Sequence, residues 1–421
     1  MPKINFQWQN LQQTQSNQLI KENCSQMFDK TPLAKPDPVF GLIEQFKLDP
    51  NPKKINLSVG VYQNESGQTP VMEAVQQAEK ILLDAKGTKS YLPINGLVPY
   101  NELVAELVFG ADHDVIQNKR FATCQTPGGT GALRVAGDLL RTIHSVDTIW
   151  ICDPTWANHG PIYLAAGLKL ERYKYLNESN TALDFDRFLA SLADAKAGQA
   201  ILLHTVCHNP SGFDLSPENW DSLFDLIKER GLIPIFDFAY QGFGEGLDAD
   251  ANPIRKFCEK NDALICQSFS KNFGLYGERV GTVTAVGAND QVAIALLSQI
   301  KRVIRTMYSN PPRHGAEIVH TVLGDAKLRQ VWETELTEMR TRIGDLRKNF
   351  VAKLDELTPD ADFSYITRQR GMFSYSGLKK EQVDQLREQY SIYIVGSGRV
   401  NIAGVNANNN EQICKAIAAV V

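Results

Sequence analysis

What this 421-residue chain lacks narrows what it can be. No apolar stretch approaches the roughly 20 residues of a membrane span, so no spanning segment and no membrane partner are expected. The 7 cysteines are odd in number, dispersed and without a CxxC pair. That argues against a disulfide framework and for a reducing, cytoplasmic setting. An excess of basic charge is also missing. Lys and Arg number 44 against 48 Asp and Glu, a net charge of -4, which exerts no global pull toward nucleic acid. No Gly-Lys-Ser/Thr follows the glycines at 128–131, and Arg134 stands where a dinucleotide fingerprint has its third glycine. Neither a Walker loop nor a nicotinamide site is indicated. Internal repeats and long low-complexity linkers are absent. Residues 1–26 are rich in Gln and Asn, with neither the apolar core of a secretory signal nor the arginines of a transit peptide. They read as a polar tail, with Met27 a second candidate start.

What is present is an ordinary globular composition, long enough for a large core and more than one domain. Short β-rich runs occur at 148–152, 200–204, 233–236 and 263–266, separated by amphipathic helical stretches such as Pro217 to Arg230. Strand alternating with helix predicts an α/β fold with a mostly parallel sheet covered on both faces. After about residue 330 the pattern changes to a long charged helix, Leu328 to Leu357, followed by shorter strands. That predicts a second, smaller α+β domain, which some of the chain before residue 70 joins.

Each apolar run ends in polar or reactive residues: Asp153-Pro154-Thr155-Trp156, His208-Asn209-Pro210-Ser211-Gly212, Asp237-Phe238-Ala239-Tyr240 and Ser268-Phe269-Ser270-Lys271. In open α/β sheets ligands bind beyond the carboxyl ends of the strands, so these four segments are expected to converge on one site. The segment His204-Thr205-Val206-Cys207-His208 resembles a metal cluster, but strand alternation turns Cys207 away from both histidines, and no metal is expected.

The residue types suit one chemistry. The glycines of Thr126-Pro127-Gly128-Gly129-Thr130-Gly131 lead into a helical run. Such a turn is often only structural, yet its backbone N–H groups can also cradle a phosphate, with Thr130 adding a hydroxyl. A lone lysine is by default a solvated surface group. Lys271, among strand-end polar residues, could instead serve as a neutral amine for a Schiff base. Arg279 offers a fork for a phosphate. Asp237 could hold a pyridine nitrogen protonated, Tyr240 and Asn209 could face a phenolic oxygen, and Trp156 could stack on a ring. Each alone has a bland reading as a cap, a turn former or a core aromatic. Together they provide every part of a pyridoxal site.

With those blocks go Asn56-Leu57-Ser58-Val59-Gly60-Val61-Tyr62, Tyr308-Ser309-Asn310-Pro311-Pro312 and Gly398-Arg399-Val400-Asn401. From Met27 to the C-terminus the chain resembles the class I aminotransferases, in particular the bacterial aspartate and aromatic (tyrosine) branch. The resemblance implies pyridoxal 5'-phosphate as cofactor and the type I fold of pyridoxal-dependent transferases. It implies a large cofactor domain over 71–335 and a small domain made of 27–70 with 336–421, which closes over the substrate.

The resemblance also implies roles. Lys271 carries the cofactor and acts as general acid and base. Asp237 pairs with the ring nitrogen, supported by His159, while Tyr240 and Asn209 sit on the phenolic oxygen under a stacked Trp156. Gly129, Thr130, Ser268 and Arg279 hold the phosphate, joined by Tyr91 of a neighbouring subunit in a homodimer whose active sites lie at the interface. Arg399 clamps the substrate α-carboxylate, Arg305 crosses the interface to a side-chain carboxylate, and Gly60 lines the pocket. The implied reaction is ping-pong transfer of an amino group from aspartate, aromatic amino acids or both to 2-oxoglutarate. Two other classes stay open. A decarboxylase or β-lyase of the same fold has no need of the paired Arg305 and Arg399. A non-catalytic binding protein on this fold has no need of Lys271.

Overall fold

A computed structural model describes residues 28–33 and 40–421. The polar tail, Met27 and residues 34–39 of the expected small domain lie outside the described residues. Among the described residues eleven strands are defined in chain order: β1 Ile55–Asn56, β2 Phe121–Pro127, β3 Thr148–Asp153, β4 Lys169–Lys174, β5 Ala200–His204, β6 Ile233–Phe238, β7 Ala263–Ser268, β8 Val280–Val286, β9 Phe373–Tyr375, β10 Ile392–Tyr393 and β11 Arg399–Asn401. Seven of them form the central sheet, in the order β2-β8-β7-β6-β5-β3-β4. Strands β3 to β7 run parallel, and β8 is antiparallel to both β2 and β7. The four expected strands are all there. β2, β4 and β8 are additions to the expected set.

The sheet is buried on both faces, as parallel strands require. Ile201, Leu203, Phe236, Phe238 and Ile265 face one core, while Ala200, Leu202, Ile235, Leu264 and Cys266 face the other. Each such large aliphatic side chain contributes about 1.5–3 kcal/mol by leaving water. The helix Pro217–Arg230 is a representative cover. Ser216 caps it with a capping box to Asn219, Gly231 ends it in the left-handed region at φ 63°, and Trp220, Leu223, Phe224 and Ile227 form its buried stripe.

From β3 the chain moves outward to β4, then returns to the other side of β3 and lays down β5, β6 and β7 in turn. The crevice between the carboxyl ends of β3 and β5 is therefore the switch point where an open sheet takes its ligand. Trp156 follows β3 and Asn209 follows β5.

The helix Ala326–Leu357 spans 32 residues, and Asp325 caps it by accepting the N–H groups of Lys327 and Leu328. Trp332 of this helix stacks on Phe273 at 4.5 Å, and its indole N–H donates to the carbonyl of Asn272 at 2.7 Å. The residues just after Lys271 are thus pinned to it. Beyond it lie two small sheets. β1 pairs in parallel with β10, which joins residues 55–56 to the C-terminal region, and β9 pairs antiparallel with β11. Among the described residues no helix is long and apolar enough to cross a membrane. The described cysteines, Cys124, Cys152, Cys207, Cys258, Cys266 and Cys414, are buried free thiols.

Candidate active site

At the carboxyl ends of β3, β5, β6 and β7 lies a cavity of ≈ 580 Å³. Lys271, Asp237, Tyr240, Asn209, Trp156, Gly129, Thr130, Ser268, Arg279, Gly60 and Arg399 all line it. Thus ten strand-end or turn residues and one from β11, spread over 339 positions from Gly60 to Arg399, meet at one place. Tyr91 and Arg305 do not. Tyr91 is 90% exposed, and Arg305 is exposed with its guanidinium donating to the Ser309 hydroxyl. Both were expected to serve a neighbouring subunit.

One end of the cavity is built for an anion. The helix Gly128–Thr142 begins there, with Pro127 at its cap position and no side chain satisfying its first N–H groups. Gly128 has φ +73°, and a Cβ on it would come within 2.5 Å of Arg279 Nη2. A Cβ on Gly129 would stand 3.2 Å from that of Ser268. Glycine here leaves a hollow bounded by backbone N–H groups, Ser268 and the Arg279 fork. That fits a phosphate, and side chains at either glycine would fill it.

The other groups fit the ring. Asp237 is buried, and its Oδ2 accepts a hydrogen bond from His159 Nε2 at 3.0 Å. The Thr155 hydroxyl lies 2.7 Å from His159 Nδ1 and 3.1 Å from His204 Nε2. Burial pushes the Asp237 carboxyl upward, but the hydrogen bond from His159 and the charges of His159, His204 and Lys271 outweigh it and hold it below its ordinary value. Asp237 therefore stays ionised, as a partner for a protonated pyridine nitrogen must. Burial also lowers Lys271 from an ordinary 10.5 to about 8, with Arg279 and Arg399 adding to the effect and Asp237 opposing it. Its ammonium nitrogen lies 5.1 Å from the centre of the Tyr240 ring. Burial raises the Tyr240 phenol, so it remains a proton donor.

Arg399 closes the opposite end. Nη1 donates to Asn209 Oδ1 at 3.2 Å, Nη2 to the Ser58 carbonyl at 2.7 Å, and its guanidinium sits 4.2 Å from the centre of the Phe373 ring. Its Nε is buried without a hydrogen-bond partner among the described residues. A buried, unsatisfied donor of this kind costs about 1–3 kcal/mol, which a carboxylate would recover.

Ser270, Tyr276 and Phe373 also line the cavity, without an expected role. Ser270 accepts from Ser268 Oγ at 3.1 Å, beside Arg279. The Tyr276 hydroxyl accepts the backbone N–H of Tyr62 at 2.8 Å, which holds the Gly60 loop from the far side. Phe373 packs under Arg399 and stands where a Cβ on Gly60 would come within 2.9 Å. Only the position of Ser270 next to Lys271 was a sequence signal; the other two act across the fold.

Behind Asp237, Cys152 rather than Cys207 joins the histidine pair. Its Sγ is 3.2 Å from His208 Nε2, and His208 Nδ1 bonds the Ser211 hydroxyl at 2.7 Å. Cys207 lies instead against Gly371, on the other side of the loop.

An amine poised to deprotonate, an ionised carboxylate, an anion cradle and a buried arginine with a free donor, all at a sheet's switch point, fit the needs of an enzyme that works through a phosphorylated carbonyl cofactor. Comparison with known proteins gives the same answer. The family described as aminotransferase class I and II matches residues 52–417. The chain belongs to that family. It is similar to the aspartate aminotransferase of Escherichia coli K12, 48% identical over 94% of this chain and 100% of that one, and to the aromatic-amino-acid aminotransferase of the same organism at 43%. The aromatic-amino-acid aminotransferase of Burkholderia pseudomallei, solved covalently bound to pyridoxal phosphate, superposes with a TM-score of 0.91 at 44% identity, covering 94% of this chain and 99% of that one.

Proposed function

We propose that this chain is a pyridoxal-phosphate transaminase that moves the amino group of aspartate, aromatic amino acids or both to 2-oxoglutarate. The observation that carries the reading is the cavity shared by Lys271, Asp237 and Arg399, whose Nε is unpaired among the described residues. The relatives named above, split between aspartate and aromatic-amino-acid enzymes, support the substrate class.

When bound, pyridoxal phosphate supplies an electron sink next to the substrate Cα. Gly129, Thr130, Ser268 and Arg279 hold its phosphate, and Asp237, kept in place by His159, holds its ring nitrogen protonated. Trp156 covers the ring, and Tyr240 and Asn209 donate to its phenolic oxygen. Arg399 binds the α-carboxylate in a forked pair and so aims the Cα–H bond. Lys271, the anchor for the cofactor, takes the Cα proton with Nζ and returns it on the other side of the transfer. The donor leaves as its 2-oxo acid before 2-oxoglutarate enters, which gives ping-pong kinetics.

The working unit in this reading is a homodimer. Tyr91 and Arg305, exposed on a single chain, serve the neighbouring site, Tyr91 at its phosphate and Arg305 at the distal carboxylate. Residues 71–335 form the cofactor domain, and 27–70 with 336–421 the smaller one. Pairing of β1 with β10 supports that division. The cysteine pattern supports the cytoplasm as its compartment.

The test is a titration of the protein loaded with pyridoxal phosphate, following its visible spectrum as aspartate, glutamate, phenylalanine and tyrosine are added separately. Bleaching of the band by aspartate and glutamate alone makes the enzyme an aspartate aminotransferase. Bleaching by the aromatic amino acids as well makes it broad in specificity. The absence of any band after cofactor is supplied overturns the reading.

A further inference from the structure

Asn209 needs a defined position, since its amide faces the cavity and also accepts from Arg399. It stands on an irregular loop after β5, where no strand ladder holds it. Asp214, five residues on, holds that loop. Its Oδ1 accepts the backbone N–H of His208 and its Oδ2 that of Cys207, both at 2.9 Å. The N–H of Gly212 donates to the His208 carbonyl at 2.7 Å, and the Gly212 carbonyl accepts the N–H of Arg370 at 2.6 Å. The loop is thus folded back on one carboxylate, which grips the backbone N–H of His208, the residue immediately before Asn209.

We propose that Asp214 is a positioning residue that sets the Asn209 amide for both Arg399 and the phenolic oxygen of the cofactor. The inference rests on the function proposed above. Asp214 lines a second cavity of ≈ 220 Å³ behind the loop, together with Thr205, Asp250, Glu245 and Arg370. The charged and titratable groups facing it are Arg370 and Asp250, with Cys207, Arg347 and Tyr175 around them. Burial raises its carboxyl to about 6, against the two backbone N–H groups and Arg370, which pull it down. Its ionised form is the one that accepts from both N–H groups at full strength. An asparagine in its place offers one acceptor and turns an amide NH2 toward the other N–H.

The experiment uses holoenzymes loaded with pyridoxal phosphate and reads the midpoint of the pH titration of the visible band. A donor on the phenolic oxygen favours its ionised form, so removing that donor raises the midpoint. Asn209→Ala is expected to raise it by about one pH unit, the scale of one hydrogen bond to an ionised oxygen. Asp214→Asn is expected to raise it in the same direction, and Asp214→Asn combined with Asn209→Ala no further than Asn209→Ala alone.

An unchanged midpoint in Asp214→Asn, or shifts that add in the double variant, overturns the proposal and leaves Asp214 a structural residue. If Asp214→Asn does not fold, Asp214→Glu decides. It keeps the charge but moves the carboxylate by one methylene, and a raised midpoint supports the proposal while an unmoved one overturns it. A wild-type protein without a visible band is a failure of the functional reading instead, and is seen before any variant is made.

Discussion

The Asp237 carboxylate takes a hydrogen bond from His159 Nε2 at 3.0 Å, and the other nitrogen of that ring is held by Thr155 at 2.7 Å. The ring is therefore held at both nitrogens, and the carboxylate lines the cavity. Asp237→Ala is expected to lower kcat/KM for aspartate by about a hundredfold to a thousandfold, the range for losing one preorganised charge partner. His159→Ala, which leaves the carboxylate but frees it, is expected to cost about tenfold to a hundredfold. Steady-state kinetics on both variants checks the order. A larger loss in His159→Ala would remove Asp237 from the centre of the mechanism.

Lys271 gives a pH dependence with a definite sign. Its folded value of about 8 lies below the ordinary 10.5, so the neutral amine is gained as pH rises. Uptake of pyridoxal phosphate by the cofactor-free protein needs that neutral amine. Its rate is expected to climb about tenfold per pH unit below 8 and to level off above it, as stopped-flow absorbance would record. Lys271→Ala should still bind the cofactor through Arg279 and Asp237. Its turnover is expected to fall by at least about a hundredfold, the lower range for losing a general acid and base. Retained turnover would sink the assignment.

Arg305 separates the two substrate classes. Arg305→Leu is expected to reduce kcat/KM for aspartate by about tenfold to a hundredfold, the size of a charge-assisted hydrogen bond. Phenylalanine, with no distal carboxylate, should lose little. Equal losses for the two substrates would mean that Arg305 does not meet the side-chain carboxylate.

Gly128 tests the anion cradle. Gly128→Ala places a Cβ in a left-handed backbone at φ +73°, which costs about 1–2 kcal/mol, and drives it against the Arg279 guanidinium. Cofactor affinity is expected to fall by more than tenfold, measured by titrating the cofactor-free protein with pyridoxal phosphate. An unchanged affinity would place the phosphate elsewhere.

The four strands that carry the site were legible because each is a continuous apolar run closing in reactive residues. The three missed strands hide their character for separate reasons. β4 carries Lys169, Glu171, Arg172 and Lys174 on an edge that meets solvent. β2 and β8 bury polar residues that only make sense as a pair, with Thr123 and Thr284 sharing a hydroxyl bond at 2.9 Å across 161 residues. Among site residues, those on motif segments were readable. Tyr276 was not, because its hydroxyl finds the Tyr62 backbone 214 positions away. Asp214 and Asp250 look like surface loop acids in sequence, and only the fold turns backbone N–H groups onto them.

The placement of β8 between β2 and β7 has a consequence for how the protein is made. Until residues 280–286 have been added, β2 has no partner in the sheet, and the Gly128 turn and Arg279 cannot face each other. A nascent chain that already holds Asp237 in β6 still lacks the hollow between Gly128 and Arg279. The hollow between Gly128 and Arg279 is thus complete only once synthesis has passed the last strand of the sheet.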